Sequence, residues 1–330
     1  MWLLLTVLSA TLLGLYDVAK KKALGKNGVL AVLLVATALS TLFVSPFLRF
    51  GPAEDHLRLG LKAVLVTASW VSGMVGLKLL PLTTVSTIKG SRPVFVVLFS
   101  ILLFGERLNW MQWLGVTVVL LALFLLGRTS RSDGTVKARR SGFVWMGVSV
   151  VTGVASALYD KHIIGGMEPL FVQSWTNLYI TVILGLCILV RHLVTSASRS
   201  SSSALPAGVP PENFASLIPP TPGGAGPSRS HGHGRPWFPA ETPAGREEPK
   251  FRWDWTLELV AVLITGADAL YFFALKQPDA LLSIISVIRR ASVLVTFIFG
   301  AILFKEGNIK AKSLNMLLMA AGVALLLIGS

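Results

Sequence analysis

Cysteine is nearly absent from this chain. Cys187 is the single one among 330 residues, which excludes a disulfide framework and a thiolate zinc site. It sits in the apolar run 184–190 and reads as a packing residue. Charge is scarce as well. Only 14% of residues are charged, against roughly 25% in a soluble domain, too few to cover the surface of a water-soluble fold of this length. An ordinary cytosolic enzyme is excluded, and at 53% hydrophobic so is a disordered scaffold. The five histidines are scattered, and no Walker loop, HExxH or GxSxG is present. Neither catalysis nor a cofactor or metal is expected. His231 and His233 read as linker residues rather than ligands. Acidic residues are few, 16 against 30 Lys and Arg, for a net charge of +14. That excess resembles a nucleic-acid binder, but the cations mostly flank apolar runs, as they do in membrane proteins. The expected partners are a lipid bilayer and a small molecule, with no nucleic acid, in a monomer or homodimer.

Long apolar runs are what the chain has in abundance. A helix needs about 20 apolar residues to cross the hydrocarbon core. Ten stretches qualify: 2–24, 28–48, 61–80, 82–104, 109–127, 142–163, 169–192, 256–276, 281–304 and 312–329. Helices are expected because backbone polar groups must be satisfied inside the bilayer. Most tryptophans fall near span ends and read as an interfacial belt. Residues 128–141 form a basic linker between five spans and five. Residues 194–255 hold 11 of the 17 prolines and a serine run, and read as a disordered loop.

The halves resemble each other. Leu15-Tyr16-Asp17 matches Leu158-Tyr159-Asp160. At a constant offset of 200, Ser86 pairs with Ser286, Lys89 with Arg289, Phe99 with Phe299 and Glu106 with Glu306. Five spans per half is an odd number, so the halves enter the membrane with opposite orientation. The expected fold is all-α, a polytopic membrane protein of ten transmembrane helices in two inverted five-helix repeats, 1–127 and 142–330. Such a repeat places a binding site at its interface near the midplane.

This pattern resembles the drug/metabolite transporter superfamily of EamA type, over nearly the whole chain outside 128–141 and 194–255. Its most recognisable local motifs here are the turns Phe104-Gly105-Glu106 and Phe304-Lys305-Glu306. The six residues Ile288-Arg289-Arg290-Ala291-Ser292-Val293 are similar to the ninth helix of plastid phosphate/triose-phosphate translocators. The resemblance implies that this basic pair binds a substrate phosphate, and it implies cytoplasmic termini. The loop charges point the other way. Loops opposite the termini carry 20 Lys and Arg against six on the terminal side, where Lys62 and Lys161 are counted, so the positive-inside rule puts the termini outside.

Charges within the spans are the candidate site. Lys89 lies about 12 Å deep at 1.5 Å per residue, and Arg289 is at similar depth. A cation at helix centre costs about 2.5–3.5 kcal/mol on insertion scales. Lys89, Arg92, Arg289 and Arg290 must therefore face a cavity or acidic partners. Asp17, Asp160 and Asp268 are the acids at hand, as charge partners or proton-coupling groups. Two readings stay open: a neutral network of packing ion pairs, or a water-filled anion site whose bases the acids orient. Tyr159, Tyr271, Ser86 and Ser286 are candidate hydrogen-bonding groups for a substrate. Pro93 removes a backbone hydrogen bond beside them and is expected to kink the helix. Lys20, Lys21 and Lys22 read as a snorkelling helix end. Glu106 and Glu306 read as interfacial, paired with Arg107 and Lys305. Gly73 and Gly76 read as a close helix approach.

The function expected is secondary active transport of a small anionic metabolite, phosphorylated or carboxylated, in a bacterial cytoplasmic membrane. The alternatives are a proton-coupled exporter of amines, amino acids or drugs, and a non-transporting membrane scaffold.

Overall fold

The computed structural model describes residues 1–24, 27–80, 85, 88–129, 140–203, 251–304 and 309–329. These residues form helices and connecting turns, with no strand among them. The first half of the chain contributes α1 (Trp2–Leu24), α2 (Val29–Val44, closed by the 3-10 turn Ser45–Phe47), α3 (Ala53–Leu79), α4 (Arg92–Phe104) and α5 (Trp110–Thr129). Next come α6 (Arg140–Ile164), α7 (Pro169–Ser203), α8 (Trp255–Lys276), α9 (Leu282–Arg290), α10 (Ser292–Phe304) and α11 (Ile309–Ile328). Among the described residues, seven stretches are long and apolar enough to cross a membrane: Trp2–Leu24, Leu30–Phe47, Ala53–Gly76, Arg140–Ile164, Pro169–Val190, Trp255–Lys276 and Leu282–Phe299. Trp110–Leu126 and Ser313–Ile328 are shorter apolar helices. The chain is an integral membrane protein. Its outward surface agrees, because Leu102, Val144, Val151 and Leu317 are exposed while Gln173 and Lys62 are buried.

Local sequence explains the helix ends. Pro52 starts α3, and Glu54 and Asp55 in its first turn complement the positive end of the helix dipole. This polar opening lies eight residues before the apolar run at 61. At α8, the Asp254 carboxylate accepts from the Thr256 amide at 3.2 Å. The α4 helix stops at Gly105, whose φ of 64° is left-handed and whose amide bonds back to Ile101 at 3.1 Å.

The boundary expected at 194 is corrected. The α7 helix runs on to Ser203. At the other end of that stretch, Asn27 holds Arg252 by two backbone bonds, of 3.0 and 2.8 Å. Residues 204–250 lie outside the described ones, as do most of the linker 128–141 and the side chain of Glu306. By contacts the chain divides into two units, Met1–Gly185 with Glu241–Ser330, and Leu186–Ala240. The described part of the second is the helical end of α7 and includes Cys187.

Within the larger unit, α1 packs along α8, α3 along α6, α5 along α11 and α4 against α9. Helices α3 and α6 approach closely at glycines. A methyl on Gly73 would sit 2.8 Å from the Ser149 hydroxyl, and one on Gly76 would collide with Met146. Ser69 and Ser149 each donate to the other's carbonyl oxygen, at 2.8 and 2.7 Å. The offset of 200 reappears in the backbone. Residues 88–90 are helical, the helix breaks at Ser91 and resumes at Arg92. The same break falls at Ala291, between α9 and α10. Both breaks are tightened turns with matching bonds. Ser91 N donates to Ile88 O at 3.2 Å and Val94 N to Ser91 O at 3.0 Å, as Ala291 N does to Ile288 O at 2.9 Å and Leu294 N to Ala291 O at 2.8 Å.

Candidate functional site

Two groups of charges lie inside the larger unit, one paired and one not. The paired group joins α3, α6, α8 and α9. Lys62, buried at 2% exposure, places Nζ 3.0 Å from Asp160 Oδ1 and over the Phe272 ring, 3.9 Å from its centroid. Asp160 also accepts from the Tyr271 hydroxyl at 3.2 Å. The other face of Tyr271 carries the Arg289 guanidinium, 4.3 Å from the ring centroid, and Arg289 donates to Asp268 at 2.8 Å. Helix spacing accounts for part of this chain, since Asp268 and Tyr271 share a face of α8. The rest is tertiary.

Lys62 corrects the loop count. The longer α3 carries it well inside the bundle, not into a terminal-side loop. Lys161 leaves that loop count too, because its ammonium bonds to Glu106 at 3.0 Å and to the carbonyl of Ala280. Glu106 is therefore not an interfacial acid paired with Arg107. It is buried, pairs with Lys161, and accepts from the amides of Leu282 at 2.7 Å and Ser283 at 3.1 Å.

The second group surrounds the two helix breaks. Arg92 lies across α6, where Gly153 has no side chain to obstruct it. A methyl there would sit 2.7 Å from the guanidinium carbon, and Arg92 donates to the Gly153 carbonyl. Lys89 is exposed and lies beside Gly73 and Ser149. Arg290 ends α9 beside the break and interacts electrostatically with Arg92, Arg289 and Asp17. Among the described residues, no carboxylate oxygen comes within 4.0 Å of the charged nitrogens of Lys89, Arg92 or Arg290. Asp17 has no such partner either, although Lys20 and Arg290 act on it electrostatically. Lys20 sits over the Tyr16 ring, 5.1 Å from the centroid, and Lys22 over Trp255 at 5.0 Å. Of the three lysines expected to snorkel, Lys20 turns onto a buried tyrosine. The side chain of Lys21 lies outside the described residues.

Of the remaining sequence candidates, Tyr271 sits between the paired charges, whereas Tyr159 is partly buried with its ring 6.1 Å from that of His162. The structure does not bring Tyr159 to the charges with its neighbour Asp160. Ser286 is partly buried on α9, and Ser86 lies outside the described residues. Sequence reasoning missed Lys62, Gly153 and the pairing of Glu106. The one signal for Lys62 was the acidic turn after Pro52, which starts α3 early enough to carry residue 62 inside.

Residues 1–128 match the EamA-like transporter family, a family of transporters rather than enzymes. An uncharacterised transporter from the cobO 3′ region of a Sinorhizobium species is 35% identical over 75 residues, 23% of this chain and 53% of that protein. The match thus spans about half the length of that relative. A solved structure described only as a crystal structure of a protein superposes with a TM-score of 0.64 at 14% identity, over 98% of this chain and 94% of its own. That is a likeness of fold.

Proposed function

We propose that this protein is a secondary transporter of a small anionic metabolite, phosphorylated or carboxylated, working by alternating access. In this reading ten spans form two inverted five-helix repeats, and the site lies between them in a bacterial cytoplasmic membrane. The family match over residues 1–128 and the bacterial relative support transport and location. The matching breaks at Ser91 and Ala291 support the repeat. So does the packing, because α1 with α8 and α6 with α3 are the same pairing with the halves exchanged.

One observation carries the anionic substrate. Lys89, Arg92 and Arg290 have no carboxylate at ion-pair distance among the described residues, whereas Lys62 and Arg289 do. Charges held only for packing are paired; a surplus of cations beside two helix breaks suits an anion from outside. Arginine offers a planar fork for phosphate or carboxylate and lysine a point charge. The repulsion among these cations disfavours return of the empty site across the membrane, so exchange is the expected mode.

A thermal-shift screen of the purified protein against phosphorylated, carboxylated and cationic metabolites tests the reading. Stabilisation by anions supports it. Stabilisation by amines alone supports the second reading, a proton-coupled exporter of amines, amino acids or drugs, which Asp17 favours as the acid left without an ion-pair partner among the described residues. A non-transporting scaffold has no observation in its favour.

A further inference from the structure

Glu106 belongs to neither charge group around the site, yet it is among the most heavily bonded carboxylates in the structure. Oε1 accepts from Lys161 Nζ at 3.0 Å and from the Leu282 amide at 2.7 Å; Oε2 accepts from the Ser283 amide at 3.1 Å and from the Ser283 hydroxyl. Lys161 in turn bonds the Ala280 carbonyl and lies 5.8 Å from the centroid of the Phe104 ring. The turn after α4 is thereby fastened to the end of α6 and the start of α9, joining the first half of the chain to the second. The carboxylate caps the first turn of α9, where the amides lack helical partners and the dipole favours an anion. Helix α9 has nine residues, a rod of about 13 Å at 1.5 Å per residue. Its far end is Arg289 and Arg290. Beneath the cap, Leu282 and Ile285 are buried with Val96, Tyr271 and Phe272, so the route from this end to the charges is filled.

We propose that Glu106 is the latch that closes this end of the protein: its bonds to Lys161 and α9 hold the two halves together here, and their release is the step that opens the site on this side. The idea rests on the alternating-access reading but not on the charge of the substrate. Rocking of one half against the other has to break these bonds, and one carboxylate carries all of them.

The test uses the full chain in lipid nanodiscs with Cys187→Ala. One reporter cysteine is placed at Ile285, buried on α9, or at Ala23, buried at the opposite end of α1. Labelling by a membrane-impermeant maleimide is timed without substrate. Glu106→Gln keeps the shape and removes the charge. The expected result is labelling at Ile285 at least about tenfold faster, from a shift in the open population of about 1.4 kcal/mol, with Ala23 unchanged. Lys161→Met should act in the same direction, and serves alone if Glu106→Gln does not accumulate. An unchanged rate at Ile285, or an equal rise at both reporters from general loosening, overturns the proposal. Anions failing to stabilise the protein would count against the substrate reading and leave this result standing.

Discussion

Among the described residues, the charges that meet an ion-pair partner and those that do not differ in more than pairing. Lys62–Asp160 and Arg289–Asp268 each join separate helices, and in each pair one partner also bonds to or stacks on Tyr271. Lys89, Arg92 and Arg290 gather beside the breaks at Ser91 and Ala291, and Arg92 has a backbone carbonyl for a partner. The contrast separates two uses of an expensive group. A cation in the membrane costs several kcal/mol unless it is compensated. The first group is compensated by the fold, so its removal should be felt as stability. In the proposed function the substrate compensates the second, so its removal should be felt as binding.

Breaking the deepest pair should have the largest effect. Lys62→Ala strands a buried Asp160, at a cost of about 3–5 kcal/mol. The protein should fail to accumulate, and Lys62→Ala with Asp160→Ala should restore it, read as the amount of monodisperse protein and its Tm. Arg289→Ala should destabilise less, because the Arg289 and Asp268 side chains are 19% and 31% exposed. Adding Asp268→Ala should recover Tm. Counterflow uptake in liposomes then sharpens the comparison: uptake that returns with the fold makes Arg289 structural, and uptake that stays lost makes it part of the site.

A smaller effect is expected where an unpaired cation leans on backbone. Gly153→Ala forces a methyl against the Arg92 guanidinium, and overpacking of this kind costs about 1–3 kcal/mol. Since the proposed function makes Arg92 a substrate ligand, part of that strain should appear as weaker anion affinity, measured by titration. An unchanged affinity with a lowered Tm would place Arg92 among the structural charges. The smallest effect is expected from deleting residues 204–250, rich in proline and serine. Insertion and uptake should stay near wild type, and loss of uptake in a deletion that still inserts would give that segment a role in gating.

Much of this fold is legible in the amino-acid sequence, since apolar runs of membrane length mark helices whatever they pack against. Pro93, expected to kink its helix, stands two residues after the break at Ser91, whereas the break at Ala291 has no proline beside it to announce it. Asp268, one of three acids the sequence offered as charge partners, is the one that meets Arg289. What stayed hidden is tertiary. Lys62 meets a residue of α6, and Glu106 meets amides 176 and 177 positions away; a single sequence carries no mark of such partners. Hydropathy also misplaced helix ends. It discounted the polar opening of α3, and with it the depth of Lys62, and it stopped α7 at its last apolar turn. Gly153 looked like any small residue until Arg92 was found lying across it.

The most direct test of the unpaired cations is the affinity of an anion found in the thermal-shift screen, titrated against wild type, Arg92→Ala and Arg290→Ala, with Tm recorded for each. A desolvated, charge-assisted hydrogen bond is worth about 1.5–3 kcal/mol. Each substitution should therefore raise Kd about ten- to a hundredfold and leave Tm nearly unchanged. Equal Kd values in all three proteins, or a collapse of Tm without change in Kd, would contradict the account.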